Sequence, residues 1–234
     1  MSPASAVQPD AGRTEIARRA WGRVERTPLR QLLHALNQPL TGLQCSLEVA
    51  LAVPRTAEHY ARTLRECLEL AGRMRALGGA IHEVVLTAEQ TAAEGTESID
   101  AAACLEQVLL ELSPVGRERG IAIVREFPAG CAGRLQCPRS LLLPATFRLL
   151  ESALALADSG GSLLVSTGFA IGTLSIRVQW NSSYVWGSFS AAELGLLVAQ
   201  ACWERAGATW DLERDQGLPA ITVRLPGAGA NSGE

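Results

Sequence analysis

The sequence predicts an α-helical hairpin that forms a dimeric four-helix bundle, followed by an α/β sandwich domain. Three observations predict this fold class. Apolar residues make up 47% of the 234 residues and charged residues 19%, which is typical of a folded chain with a sizeable core. The N-terminal part carries apolar residues at helical spacing. The C-terminal part alternates helical stretches with segments of strand-like alternation.

One long helix is expected from Thr14 to about Val53, and Pro54 ends it. Its apolar residues recur at alternating spacings of four and three, which is the seam of a bundle or coiled coil. The members of this seam are Leu29, Leu33, Leu36, Leu40, Leu43, Leu47 and Ala50.

A second helix is expected from the N-cap Thr56 to about Thr87. The short turn between the two helices predicts an antiparallel hairpin. Because one hairpin cannot bury both faces of its seams, we expect a homodimer through residues 14–87. The second seam consists of Tyr60, Leu64, Cys67, Ala71, Met74, Gly78, Ile81 and Val85.

The chain divides into five segments by composition. Residues 1–12 and 228–234 are expected to be disordered tails. The small polar residues of 89–98 predict a linker between two domains. The helical hairpin then occupies residues 13–88, and the α/β domain occupies residues 99–227.

The α/β domain is expected to place its helices on a mixed sheet. Asp100 can cap the first helix and Gly207 can end the last one, while Gly130 and Gly133 predict a loop. Helices are expected over 101–113, 138–157 and 190–206, and strands over 121–127, 162–168, 173–180, 209–213 and 220–225.

Composition and charge exclude several classes of function. The net charge of −3 argues against nucleic acid as the main partner. All 21 basic residues are arginine, which excludes chemistry based on lysine. No apolar run reaches the roughly 20 residues that cross a bilayer, and the N-terminus lacks a signal-peptide pattern. We therefore expect a cytoplasmic protein without membrane insertion.

The six cysteines are scattered and include no C-x-x-C pair. We expect them to be small buried hydrophobic residues in a reducing compartment. Cys104, Cys131 and Cys137 have a spacing that fits no common zinc pattern, so no metal site is expected.

His34 carries the clearest chemical signal of the first helix. It lies beside the predicted seam and is therefore expected to be at least partly exposed, with Gln38 one turn away on the same face. Thr41 follows after seven residues. Pro39 removes one backbone hydrogen bond, so the helix should bend close to the imidazole.

The stretch Leu-Leu-His-Ala-Leu-Asn-Gln-Pro-Leu-Thr over residues 32–41 resembles the phosphoacceptor box of two-component sensor histidine kinases. Five of the six positions from His34 to Pro39 agree with the form His-Glu-Leu-Asn-Gln-Pro. In that family the box lies on the first helix of a dimerisation and phosphotransfer hairpin. The resemblance therefore implies that His34 is the phosphoacceptor.

The same resemblance implies roles for the neighbours of His34. Asn37, Gln38 and Thr41 are candidate site residues beside the imidazole, and Gln38 would position the phosphoryl group or a hydrolytic water. Ala35 stands where the family usually has an acidic residue that assists phosphorylation by ATP. The missing base argues against self-phosphorylation.

Residues 99–226 resemble the ATP-binding domain of the same family in pattern, but the nucleotide motifs are degenerate. The Asn-rich box that holds Mg²⁺ should fall on residues 147–154, where Arg148 and Ser152 replace asparagines. The adenine-binding Asp-x-Gly-x-Gly is replaced by a stretch that includes Trp180 and Asn181. The resemblance therefore implies the loss of the metal ligands and of the adenine anchor.

The Gly-rich phosphate segment is also reduced. Only Glu193 and Gly195 stand where it should open the next helix, and Glu193 would put a negative charge where phosphates need N–H donors. We therefore expect no nucleotide binding. Trp180, Tyr184 and Trp186 are interpreted either as core residues that plug the former pocket or as a docking surface for a partner.

The resemblance implies a phosphorelay protein of the degenerate-kinase type. His34 would exchange a phosphoryl group with the aspartate of a response-regulator receiver domain, and the receiver would supply Mg²⁺, so this chain needs no cofactor. Two alternatives stay open. One is a catalytically silent pseudokinase or scaffold that binds response regulators or forms mixed dimers with kinases. The other is a divergent active histidine kinase.

Overall fold

A computed structural model of the chain describes residues 28–93, 96–128, 134–170, 172–184, 190–215 and 217–226. The predicted tails lie outside the described residues. So does the first part, residues 14–27, of the long helix expected from Thr14 to about Val53. The same holds for Gly130, Cys131, Gly133 and Trp186.

Two long helices form the N-terminal part. Helix α1 spans Pro28–Ala52 and helix α2 spans Ala57–Ala93, and the two pack along each other. As predicted, α1 ends just before Pro54. Thr56 precedes α2, and its hydroxyl accepts a hydrogen bond from the backbone N–H of His59 at 3.3 Å.

Only part of the predicted seams is covered within one chain, and on α1 the covered members alternate with exposed ones. On α1, Ala50 is buried and Leu29, Leu36 and Leu43 are half-buried. Leu33, Leu40 and Leu47, which the sequence places in the core, are instead 47%, 46% and 41% exposed. In the second seam Cys67 is buried and Ala71, Met74 and Ile81 are half-buried, whereas Tyr60, Leu64, Gly78 and Val85 are exposed.

The C-terminal part contains three helices and seven strands among the described residues. The chain order is β1 Glu97–Asp100, α3 Ala101–Glu118, β2 Ala122–Glu126, β3 Arg134–Cys137, α4 Arg139–Leu156, β4 Ser162–Ala170, β5 Thr173–Trp180, α5 Ala191–Arg205, β6 Thr209–Asp215 and β7 Leu218–Pro226.

Five strands form a mixed sheet in the order β2-β4-β5-β7-β6. The pair β2–β4 is parallel and the other pairs are antiparallel. Buried and half-buried residues alternate along β5 and along β4 up to Gly168, so one face of the sheet lies under the helices. This arrangement confirms the predicted α/β domain.

Most predicted elements of this domain are present with small shifts at their ends. Asp100 caps α3, since its carboxylate accepts hydrogen bonds from the backbone N–H groups of Ala102 and Ala103 at 2.9 and 3.1 Å. Gly207 has φ +83° after α5, as its expected place at a helix end requires.

Helix α3 continues beyond the predicted end at residue 113 and runs through Pro114. Proline leaves the carbonyl of Leu110 without its helical donor. The hydroxyl of Ser113 donates to that carbonyl at 2.9 Å, which replaces the lost bond. The helix therefore continues to Glu118.

The predicted linker 89–98 is largely regular structure. Helix α2 extends to Ala93, and β1 begins at Glu97. Strand β1 pairs antiparallel with β3, placing Ile99 opposite Leu135. Neither short strand was predicted, because the pairing joins segments that are far apart in sequence.

The α/β domain packs directly against one end of the hairpin. Helix α5 contacts both α1 and α2. Leu32 and Ala35 of α1 and Leu77 and Ala80 of α2 are buried in one continuous apolar core with the residues of the domain. Within the described residues, no helix combines the length and the apolar character that crossing a membrane requires.

Candidate functional site

His34 and its predicted neighbours share one exposed face of α1. His34, Asn37, Gln38 and Thr41 are all exposed, and their spacing places them one or two turns apart on the same side of the helix. The Thr41 hydroxyl donates to the backbone carbonyl of Asn37 at 2.9 Å. The Thr41 hydroxyl is therefore hydrogen-bonded within its own helix, to the carbonyl four residues earlier.

The opposite side of the same turn of α1 is buried. Leu32 is fully buried, Ala35 is 2% exposed, and Pro39 also faces inwards. A carboxylate at position 35 would lose its hydration in this apolar contact, which is costly without a partner. The packing of the hairpin against the α/β domain therefore gives a physical reason for alanine beside His34.

Arg148 of α4 binds the hairpin. Its Nε donates to Glu83 Oε1 at 2.7 Å and its Nη2 to Glu83 Oε2 at 3.1 Å, a two-pronged ion pair with α2. Its Nη1 donates to Glu151 at 3.0 Å. The hydrogen bond to Glu83 is the main cause that raises the pKa of Arg148 above its ordinary value. The guanidinium is thus held between two carboxylates.

Ser152 and Gly195 mark a close approach of α4 and α5. Ser152 is buried, and a Cβ atom added at Gly195 would overlap the Ser152 hydroxyl. Gly195 therefore lies inside α5 at a helix contact and not in a glycine-rich loop. The two helices pack tightly at the positions where the resemblance expects Mg²⁺ and phosphate contacts.

We predict that Gly195→Ala destabilises the fold while Ser152 is present. The overlap with the Ser152 hydroxyl should cost about 2 kcal/mol of unfolding free energy. In a Ser152→Ala background the added methyl group meets only Cβ at an ordinary 3.5 Å. There the better helix propensity of alanine should make the same change neutral or stabilising by up to about 1 kcal/mol.

Urea unfolding of the four proteins in this double-mutant cycle measures the coupling between the two positions. Equal effects of Gly195→Ala in both backgrounds would contradict the close helix contact.

Trp180 ends β5 and is 1% exposed, so its indole is part of the core. Tyr184 packs against the same core from the segment after the strand. These positions favour the interpretation as core residues over a docking surface.

Hydrogen bonds fix the position of the backbone that follows β5. Asn181 Oδ1 accepts from the N–H and hydroxyl of Ser162 at 2.9 and 2.7 Å. Asp158 accepts from the N–H and hydroxyl of Ser183 at 2.8 and 2.9 Å, and the Ser182 hydroxyl donates to the Leu156 carbonyl. The segment where the adenine motif was expected is thus fastened to the end of α4.

Glu193 closes the N-terminus of α5. Its side chain is buried and accepts a hydrogen bond from the backbone N–H of Ser190 at 3.0 Å, while the Ser190 hydroxyl accepts one from the N–H of Glu193. This capping box occupies donors that a phosphate would need at a helix N-terminus.

The described cysteines are mostly buried, as expected, but Cys45 is exposed. Burial raises the pKa of Cys104, and it raises the pKa of Cys137 to about 11. Both thiols are therefore protonated near neutral pH and are poor metal ligands in this state. Among the described residues, no cluster of three or more His, Cys, Asp or Glu side chains could hold a metal ion.

No protein-family model matches the chain, and no curated protein matches it. Solved structures do match. The Acinetobacter baumannii histidine kinase AdeS aligns with a TM-score of 0.54 and 16% identity, over 84% of this chain and 98% of that one.

Two further histidine kinases have similar structures. Full-length ShkA, in complex with AMPPNP, aligns with a TM-score of 0.51 and 18% identity over 88% of this chain and 47% of that one. The catalytic domain of ThkA aligns with a TM-score of 0.51 and 11% identity over 57% and 97% of the two chains. The chain therefore has the fold of a histidine kinase core.

Proposed function

We propose that this chain is a two-component phosphorelay protein that works without binding ATP. His34 accepts a phosphoryl group from the phosphorylated aspartate of a response-regulator receiver domain and returns it to another. This proposal rests on the difference in exposure between the His34 face and the former nucleotide-motif positions. The His34 face of α1 is exposed, whereas the residues at the nucleotide-motif positions are engaged in packing, caps and ion pairs.

The chemistry suits the exposed imidazole. A neutral ring nitrogen of His34 attacks the phosphorus of the aspartyl phosphate, a P–N bond forms, and the P–O bond to the carboxylate breaks. The carboxylate leaves, and the other ring nitrogen, which carries the N–H, releases its proton to water. The reverse transfer regenerates an aspartyl phosphate on a second receiver. Gln38, exposed one turn from His34, would position the phosphoryl group.

Three contacts support the absence of nucleotide binding. Arg148 pairs with Glu83, Ser152 packs on Gly195, and Glu193 caps its own helix. Opening space for a nucleotide would separate α4 from α5 and expose buried side chains. Mg²⁺ and acidic groups would come from the receiver, so the chain itself needs no cofactor.

The exposed seam residues support a homodimer. Leu33, Leu40 and Leu47 form an exposed apolar stripe on α1, and Tyr60 and Leu64 of the α2 seam are exposed as well. A second hairpin would cover this stripe and complete a four-helix bundle. Sedimentation velocity at micromolar concentration should therefore show a dimer, and a monomer would contradict this part of the proposal.

The experiment that tests the proposed function has two arms. In one, the purified protein is incubated with Mg²⁺ and γ-labelled ATP, and we expect no label. In the other, it is mixed with each receiver domain encoded in the same genome, phosphorylated beforehand with labelled acetyl phosphate. We expect at least one receiver to transfer acid-labile label to the protein.

The outcomes separate the three functions. Label from ATP would show a working kinase and overturn the proposal. No label from any receiver would overturn phosphotransfer and leave a silent scaffold. Transfer from a receiver without transfer from ATP is the result that only the phosphorelay function gives.

A further inference from the structure

The ion pair between Arg148 and Glu83 joins the two parts of the molecule. Glu83 belongs to α2 of the hairpin and Arg148 to α4 of the α/β domain, 65 residues later in the chain. Both oxygens of Glu83 accept from the guanidinium, and such two-pronged geometry fixes the orientation of the partners as well as their distance.

The hairpin also has an apolar contact with the domain near this pair. Leu77 and Ala80 of α2 are buried with the core of the domain, and Leu32 and Ala35 of α1 join them. Covering such a contact is favourable in any orientation that hides the apolar surface, because the hydrophobic effect has no direction. A directional contact adds a constraint on the orientation beyond the shape of the apolar surfaces.

We propose that the Arg148–Glu83 ion pair selects a single docked position of the α/β domain on the hairpin. In this position the domain packs against the turn of α1 that carries His34 and stabilises it. In this position Leu32 and Ala35 are covered while His34 stays exposed. The residue at a former nucleotide-motif position thus has an interdomain structural role.

Glu151 orients the guanidinium of Arg148. It lies three residues after Arg148 on α4 and accepts from Nη1, which leaves Nε and Nη2 directed towards Glu83. The side chain of Arg148 is 39% exposed, so water can reach the pair and replace it when the domain leaves. Undocking therefore breaks this water-accessible ion pair and also uncovers the apolar contact between the hairpin and the domain.

A charge-swap experiment tests this inference without any phosphoryl transfer. The variants are Arg148→Glu, Glu83→Arg and the two combined. Each single variant brings like charges together across the contact. In the combined variant the arginine introduced at position 83 faces two carboxylates, at positions 148 and 151, as Arg148 faces two now.

The matched control is Arg125→Glu. Arg125 pairs with Glu106 at 3.1 Å within the α/β domain, and the two side chains are exposed to a similar extent. This variant removes a comparable ion pair that does not join the domain to the hairpin. Far-ultraviolet circular dichroism confirms that every variant keeps its helices.

The measurements are small-angle X-ray scattering and hydrogen exchange of the amides of residues 77–84. We expect both single variants to increase the radius of gyration and to speed exchange in α2 by about tenfold. The combined variant should restore both values, and Arg125→Glu should change neither.

Folded single variants with unchanged scattering and exchange would overturn the inference. Failure of the combined variant to restore docking would overturn it too, because the effect would then not depend on the pairing of charges. Neither result depends on whether receivers label His34, so the proposed function can fail or stand independently.

Discussion

His34→Ala is expected to reduce label transferred from a phosphorylated receiver to background. The imidazole is the only group of the candidate site whose nitrogen can form the phosphoramidate, and alanine offers no nucleophile. Because His34 is exposed, the substitution removes few packing contacts, and the unfolding free energy should change by less than about 0.5 kcal/mol. Transfer assays and urea unfolding of the same preparation check both statements.

His82→Ala is the matched control. His82 is also an exposed histidine, but it lies on α2. Its replacement should leave the transferred label at the wild-type level. Label that persists in His34→Ala and disappears in His82→Ala would move the phosphoacceptor to the other helix and contradict the proposed site.

Trp180→Ala is expected to lower the free energy of unfolding by about 4 kcal/mol. The indole is 1% exposed at the end of β5 and packs under the helices of the domain, so alanine leaves a large cavity in the core. A domain of ordinary stability has about 5–15 kcal/mol in total, so the variant should lose roughly a quarter or more of its stability. The shift of the urea midpoint measures the loss.

Trp210→Ala provides the comparison for Trp180. Trp210 lies on β6 and is only partly buried against the same core. Its truncation should therefore cost clearly less than that of Trp180. A loss below about 1 kcal/mol for Trp180→Ala would mean that the indole does not fill the core, and the docking-surface interpretation would regain support.

The sequence by itself determined where most elements begin and end. Pro54 and Thr56 set the turn between the two long helices, and Asp100 starts α3 with its own carboxylate. Strand β5 followed from strict alternation of apolar and polar residues, and its partner β4 from a partly alternating apolar segment. These signals are local, since a cap, a proline or an alternation acts within a few residues of the chain.

The resemblance of residues 32–41 implied His34 as the candidate phosphoacceptor, and spacing alone predicted which residues share its face of the helix. His34 and Gln38 share a face in any helix, and the structure leaves both exposed. The sequence predicted the positions of the helix seams but not which of their residues are covered within one chain. The spacing identifies the apolar residues of α1, but it does not say that Leu36 is covered while Leu33 and Leu40 stay exposed in one chain.

The tertiary structure alone decided how the domain and the hairpin fit together. It buried Ala35 beside His34, placed Gly195 against Ser152, and joined Arg148 to Glu83. It also paired β1 with β3. Each of these contacts joins residues or elements that are distant in the chain, and their energies depend on packing and geometry that no local pattern encodes.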